Sequence, residues 1–174
     1  QQGGILEELE AEDYGIANQF RYLSDRLGYP VYRDTDICFY PSAEEGFEAQ
    51  LEALKKAERF IFMEYHAIEE KSAFLRLFEV LSERAAAGVE VRLFYDDIGS
   101  IWFIDHDFIR RMEAAGIQTR VFNPMTPLFN AFLDHRDHRK ITVIDGKVGF
   151  TGGWRRSTLT SPTPTGTGLT PAYA

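Results

Sequence analysis

His138, Lys140 and Asp145 stand in the pattern His-x-Lys-x4-Asp, on a stretch that reads as a strand running into a turn. Side chains alternate along a strand, so His138, Lys140, Thr142 and Ile144 fall on one face and Arg139 on the other. An imidazole and an ammonium at adjacent same-face positions suit phosphodiester chemistry. The imidazole can attack phosphorus or protonate a departing alkoxide, and the ammonium can neutralise the non-bridging oxygens. Asp145 sits in the turn, where a carboxylate could hold the His or the Lys in orientation. Gly152 and Gly153 follow the next strand, and residues without a Cβ let the backbone approach a phosphate closely. The plainer reading is a solvated cationic cluster at a strand start. The strand–turn–strand placement, with Gly-Gly after it, favours the chemical one.

The elements that must position these residues alternate along the chain. Residues 6–27 have helical spacing at Leu9, Ile16, Phe20, Leu23 and Leu27, with Gly28 as a stop. A short apolar strand covers 37–40, and Ser42 with Glu45 forms a capping box for a helix whose apolar face is Phe47, Leu51 and Leu54. Residues 59–65 are almost continuously apolar, as expected for a sheet covered on both faces. A helix over 73–87 ends at Gly88, and a buried strand over 89–95 runs into Asp96 and Asp97. A helix over 108–115 and a strand over 118–122 follow, then strands over 139–144 and 148–151 joined by Asp145-Gly146, a good hairpin turn. This alternation predicts an α/β sandwich with a largely parallel sheet and a terminal hairpin. Three segments are expected: a helical one over 1–30, the α/β half-domain over 31–153, and a tail over 154–174.

Composition narrows the function classes. The chain has 174 residues, 44% hydrophobic and 26% charged, which is globular rather than disordered. A net charge of −8 argues against a non-specific nucleic-acid binder, which gains its affinity from cations and counterion release. It leaves room for a local phosphate pocket at residues 136–140, where Arg136, Arg139 and Lys140 cluster. Cys38 is the single cysteine, so neither an internal disulfide nor a cysteine-rich metal site is available. No run of apolar residues is long enough to span a bilayer, and no signal peptide is visible. The start at Gln1-Gln2 leads to the expectation that residues precede it. Among other candidates, His135 and His138 lack an obvious third metal ligand, His66 and His106 read as structural or solvated, and Asp96-Asp97 reads as a turn cap. Glu64, inside an apolar strand, needs a partner.

The segments 137–141, 143–147 and 150–153 resemble the first signature motif of bacterial cardiolipin synthases, of the phospholipase D superfamily. Upstream, Phe62-Met63-Glu64-Tyr65, Gly88-Val89-Glu90-Val91-Arg92, Tyr95-Asp96-Asp97-Ile98-Gly99-Ser100 and Val121-Phe122-Asn123-Pro124 are similar to that family's first half, in the same order. The resemblance implies a phospholipase D-like α/β/α half-domain, and an enzyme that pairs two such motifs. In it one His forms a phosphatidyl-histidine and the other motif's His acts as acid and then base, making cardiolipin from phosphatidylglycerol-type lipids at the cell membrane. By position, His138 matches the motif histidine, Lys140 the phosphate-binding lysine and Asp145 the motif aspartate. No metal or other cofactor is implied. The partners expected are a phospholipid and either a missing second catalytic half or a homodimer partner, with nucleic acid not favoured.

After Gly153 the family pattern stops. The tail is Thr, Ser, Pro and Gly with Arg155 and Arg156, lacks periodicity, and is expected to stay without packed structure. Shifting the reading frame by one base turns each Thr (codon ACN) into a Tyr, His, Asn or Asp position. One allowed decoding, LAEEYFNITHPYGYWxDTG, is very close to the family's continuation. Thr158, Thr160, Thr163, Thr165, Thr167 and Thr170 all fall where one of those four residues is required. A frameshifted tail is therefore expected, and with it a truncated synthase fragment inactive alone. Two alternatives stay open: a single-motif phosphodiesterase or nuclease active as a homodimer, and a non-enzymatic remnant.

Overall fold

The computed structural model describes residues 2–125, 135–152 and 169–173, with the backbone alone for 2–3 and 169–173. The chain divides into two units, Gln1–Asp36 and Ile37–Ala174. In the first, helix α1 (Gln2–Glu12) packs on helix α2 (Tyr14–Leu27). The single helical stretch expected over 6–27 is broken because Asp13 takes an extended backbone and accepts the Ile16 N–H at 3.0 Å, capping a new helix. Gly28, at φ 70°, closes α2 with the left-handed turn that a residue lacking Cβ adopts without strain.

The second unit is a single sheet with its helices. Strand β1 (Ile37–Tyr40) leads to α3 (Ala43–Lys55), where Ser42 accepts the Glu45 N–H at 3.2 Å as the capping box requires. Then come β2 (Phe60–Tyr65), α4 (Ser72–Ala86), β3 (Glu90–Asp96), the single turn α5 (Asp97–Ser100), α6 (Phe108–Ala114) and β4 (Ile117–Phe122). The antiparallel hairpin of β5 (Lys140–Ile144) and β6 (Val148–Gly152) follows, and β7 (Leu169–Tyr173) completes the sheet. The strand order is β1-β7-β6-β5-β2-β3-β4. Five of the seven described strands run the same way, as the sequence predicts for a largely parallel sheet; β5 and β7 are reversed. Adjacent pairing is parallel only across β2-β3-β4.

Each crossover, β1 to β2, β2 to β3 and β3 to β4, steps in the same direction across the sheet. Right-handed crossovers stepping one way lay their helices on one face. There Ile61, Met63, Val91, Leu93, Tyr95, Ile117 and Ile144 pack with Phe47, Leu51, Leu54, Leu77, Leu81, Phe108 and Met112 in one buried core. The sandwich expected from sequence is thus, among the described residues, a sheet with helices on one side. The continuously apolar β2 is explained differently on its two faces. Phe60 and Phe62 point away from the core, stack at 4.5 Å, and lie under the guanidinium groups of Arg59 and Arg92.

The segment beyond residue 153, expected to stay unpacked, differs at Leu169–Tyr173, which pairs antiparallel with both β1 and β6. Strand addition satisfies backbone N–H and C=O groups and so depends weakly on side-chain pattern. The rest of that tail, Gly153 included, lies outside the described residues.

Candidate functional site

Because β5 runs antiparallel to β2, its first residues lie beside the carboxyl end of β2. The register pairs Lys140 with Tyr65 and Ile144 with Ile61. His66 after β2, Asp96 at the end of β3, Asn123 after β4, and His138 with Lys140 at the start of β5 therefore gather at one edge. This is the edge where open α/β sheets bind ligands.

Asp96 organises this edge. Its fully buried carboxylate accepts the Gly99 N–H at 3.0 Å, capping α5, and the Asp137 N–H at 2.9 Å. Arg136 Nη1 stands 3.3 Å from the same carboxylate, and Nη2 donates to the Asn123 carbonyl at 3.1 Å. Asn123, at φ 44°, donates to the His135 carbonyl at 3.0 Å. Buried polar groups need such partners, and here the partners fix the backbone leading into the motif.

His138 is exposed, and its ring lies 4.6 Å, centroid to centroid, from that of His66. The nearby Lys140 charge, then burial, then His66 hold the His138 pKa below the usual histidine value, against the pull of Asp137 and Asp96. The lowered pKa favours the neutral ring, whose lone pair can act as nucleophile or base. Lys140 is half-buried and donates to the His138 carbonyl at 2.5 Å. Burial lowers its pKa, opposed by Asp137. Unlike Arg136 and Arg139, it makes no ion pair among the described residues, so its charge is available to a phosphate oxygen. One step deeper on the same face, Thr142 accepts from Gln50 at 2.6 Å and lies 3.0 Å from the Tyr65 hydroxyl, a buried polar anchor beneath Lys140.

Arg139 lies on the other face, as alternation predicts. Its Nη2 is 2.7 Å from Glu64 Oε1, and its Nε donates to Asp137 Oδ1 at 3.0 Å. Glu64 thus has the partner its apolar strand demanded. Burial, then the hydrogen bond and charge of Asp137, push the Glu64 pKa up to about 7, with Arg139 opposing. Asp137 is itself held below the ordinary value, because hydrogen bonds from Glu64 and Arg139 outweigh its burial.

Asp145 is not brought to this edge. It lies at the opposite end of β5, at φ 56°, and its carboxylate accepts the backbone N–H groups of Glu58, Arg59 and Phe60 at 2.8–2.9 Å. Those three donors keep its pKa low despite burial. A role orienting His138 or Lys140, the sequence expectation, does not fit; Asp145 instead ties the hairpin to the start of β2. Gly152 lies one residue past the Ile141–Thr151 pair, toward the Lys140 end of β5, while Gly153 is outside the described residues. Sequence reasoning passed over His66 as structural or solvated and treated Asp96 as a turn cap. Only their meeting with residues some 40 to 70 positions downstream gives them a part in the site.

No family model matches the chain. A cardiolipin synthase of Geobacillus thermodenitrificans is 37% identical over 134 residues, 76% of this chain and 26% of that protein. A probable cardiolipin synthase of Bacillus subtilis is 40% identical over 120 residues, 68% of this chain and 24% of that protein. Over most of its length the chain is similar to a stretch of these cardiolipin synthases, which supports the resemblance to the phospholipase D superfamily. An uncharacterized protein of Streptococcus mutans is 39% identical over 85% of this chain and 32% of its own length. The chain thus spans about a quarter to a third of these curated relatives. Among solved structures, NucT from Helicobacter pylori aligns with a TM-score of 0.58 at 9% identity, over 80% of this chain and 86% of that one. Nuc from Salmonella typhimurium, a phospholipase D family member, gives 0.54 at 17%, over 80% and 82%. At such identities these two matches speak for the fold alone.

Proposed function

We propose that this half-domain supplies the nucleophilic half of a phosphatidyltransferase that makes cardiolipin from phosphatidylglycerol-type lipids. The observation that carries the reading is the exposed His138 ring beside Lys140, whose ammonium has no carboxylate partner among the described residues. The His138 nitrogen forms a bond to phosphorus and the P–O bond to the departing glycerol breaks. Lys140 balances charge on the non-bridging oxygens. The departing oxygen needs a proton from an acid, and His138 cannot serve as nucleophile and acid in the same step. That requirement calls for a second motif. The names of the relatives support phosphatidyl transfer, and the membrane is the place where such a substrate resides. No described helix is long and apolar enough to cross it.

A second reading has one observation in its favour. NucT and Nuc chains are covered over 86% and 82% of their length by this one half-domain. In those structures one such half-domain accounts for most of the solved chain, and here a second copy of the chain would provide the second histidine.

The test is to incubate the chain with a labelled phosphatidyl ester of p-nitrophenol, whose leaving group departs without a proton, quench in base, and map the label by mass spectrometry. A base-stable, acid-labile adduct on His138, lost in His138→Ala and formed less as pH falls through the His138 pKa, is the expected result. Lys140→Ala should slow its formation without moving it. Label on a residue outside the motif would refute the mechanism. Labelling that rises with the square of protein concentration would select the two-copy reading.

A further inference from the structure

We propose that His66 is a positioning residue for His138, holding both the backbone ahead of it and the face of its ring. The inference rests on the reading of His138 as the reacting group.

Three contacts converge on the junction between Asp137 and His138. Asp96 accepts the Asp137 N–H at 2.9 Å, and His66 Nδ1 lies 2.9 Å from the Asp137 carbonyl oxygen. A carbonyl only accepts, so His66 Nδ1 carries the proton and donates. That places a proton on Nδ1 and fixes the orientation of the ring. The peptide groups on both sides of Asp137 are thus clamped, one by each partner. The third contact is the ring of His66 against that of His138, at 4.6 Å and tilted by 54°. A strand-start residue that is exposed on its outer side would otherwise sample several χ1 wells.

Spacing decides between positioning and direct catalysis. An in-line displacement puts the nucleophile roughly 3–3.5 Å from phosphorus. The acid sits on the opposite side, within about 3 Å of the leaving oxygen. Two imidazoles sharing that work need a phosphoryl group between them. Rings in van der Waals contact leave no such layer, so His66 supports His138 from the side.

His66 is itself held from below. A Cβ on Gly99 would lie 2.0 Å from the His66 carbonyl oxygen, closer than any packing tolerates, so the α5 turn presses directly on the backbone of His66. Ser100 accepts the Ile68 N–H at 3.0 Å and fixes the same loop two residues on. The segment Asp96-Asp97-Ile98-Gly99-Ser100 therefore carries the loop that carries His66, and Asp96 reaches His138's neighbour directly. Of the titratable groups, His138 and Asp96 (4.0 Å from Nδ1) lie against His66; Arg136 reaches the same Asp96 carboxylate, and Lys140 and Asp137 act on His138.

Nitrogen-resolved NMR of the four histidine rings in the full chain, without substrate, tests the proposal separately from the chemistry. In the wild type, His66 should remain protonated at Nδ1, and His138 should titrate below the usual histidine value as one conformer. His66→Ala should give multiple or broadened His138 ring signals, and raise its titration midpoint, because His66 is one of the groups holding it down. His66→Asn can place an amide N–H where Nδ1 stands, and His66→Phe keeps a ring but no donor. Rescue of the single conformer by Asn assigns the positioning to the carbonyl bond, and rescue by Phe assigns it to the ring contact. Either supports the proposal, and these two variants stand in should His66→Ala fail to fold. Unchanged His138 signals, tautomer and titration in all the folded variants would overturn it, whatever the labelling experiment had found.

Discussion

At the scale of the residue, the site separates its charges by strand face. Arg136 is taken up by Asp96 and Arg139 by Glu64 and Asp137, so of the three clustered cations Lys140 is the one offered to a ligand. The Glu64–Asp137 pair has a consequence for stability. Glu64 titrates near 7 in the folded protein, above its ordinary value of 4.5. A raised carboxyl binds its proton more tightly when folded, so its contribution is full below the unfolded pKa and is lost as pH rises from about 4.5 through 7. Asp137, held low, acts in a different window, losing its contribution only as pH falls into the acid range. Glu64→Gln should therefore flatten the fall in urea-unfolding stability between pH 5 and pH 8, by on the order of 1 kcal/mol given the side chain's partial exposure. A fall equal to that of the wild type would show that the pair is not coupled as the geometry indicates.

At the scale of the element, one strand has two ends with two duties. The start of β5 presents Lys140 to the site, and its far end carries Asp145, whose carboxylate collects three backbone donors of the segment entering β2. Strands β2 and β5 are neighbours, and this clasp secures the end of their pairing away from Lys140. Asp145→Ala should lower the unfolding free energy by about 1–3 kcal/mol, the cost of charge-assisted hydrogen bonds to groups in partial contact with water. It should leave the His138 ring signals in place, since the two ends are separated by the length of the strand. Because its folded pKa is depressed, this contribution is present above the unfolded pKa and disappears as pH falls through the folded one. The α5 turn is the second element on which the site depends. Gly99→Ala forces a backbone shift rather than a side-chain adjustment, so a loss of about 3 kcal/mol or more is expected by chemical denaturation. His66 should be the first histidine whose signals move.

At the scale of the whole molecule, the sheet is built by steps in one direction and then a reversal. Three crossovers carry the chain from β1 to β4, and β5 returns to insert beside β2. The reversal brings a motif from late in the chain against loops from its middle, at the carboxyl edge of the parallel strands. One motif gives one reacting histidine, so the purified monomer should show no measurable cardiolipin synthesis. Loss of a positioned acid/base alone slows such a step by typically 10²–10⁴-fold. Thin-layer analysis of labelled phosphatidylglycerol incubated with the monomer checks this. Turnover by protein shown to be monomeric at the assay concentration would contradict it.

The order of strands and helices, the capping box at Ser42, the hairpin at Asp145-Gly146 and the pairing of His138 with Lys140 on one face were legible in the sequence. All of these are local: they depend on spacing within a few residues and on the chemistry of individual side chains. The break in the first helix at Asp13 was also local, but it was hidden by a helical periodicity that continues across the cap. What the sequence could not decide was which distant residues meet. His66 and Asp96 acquire their parts only because β5 runs antiparallel beside β2, and Asp145 loses the part expected of it because the same strand carries it to the far edge. Nor could pattern alone tell that the outward residues of β2 would be covered by arginines rather than by a helix, since an apolar run looks the same under either cover. Side-chain type and spacing single out the His138–Lys140 pair; the direction of strand pairing, a long-range property, decides what surrounds it.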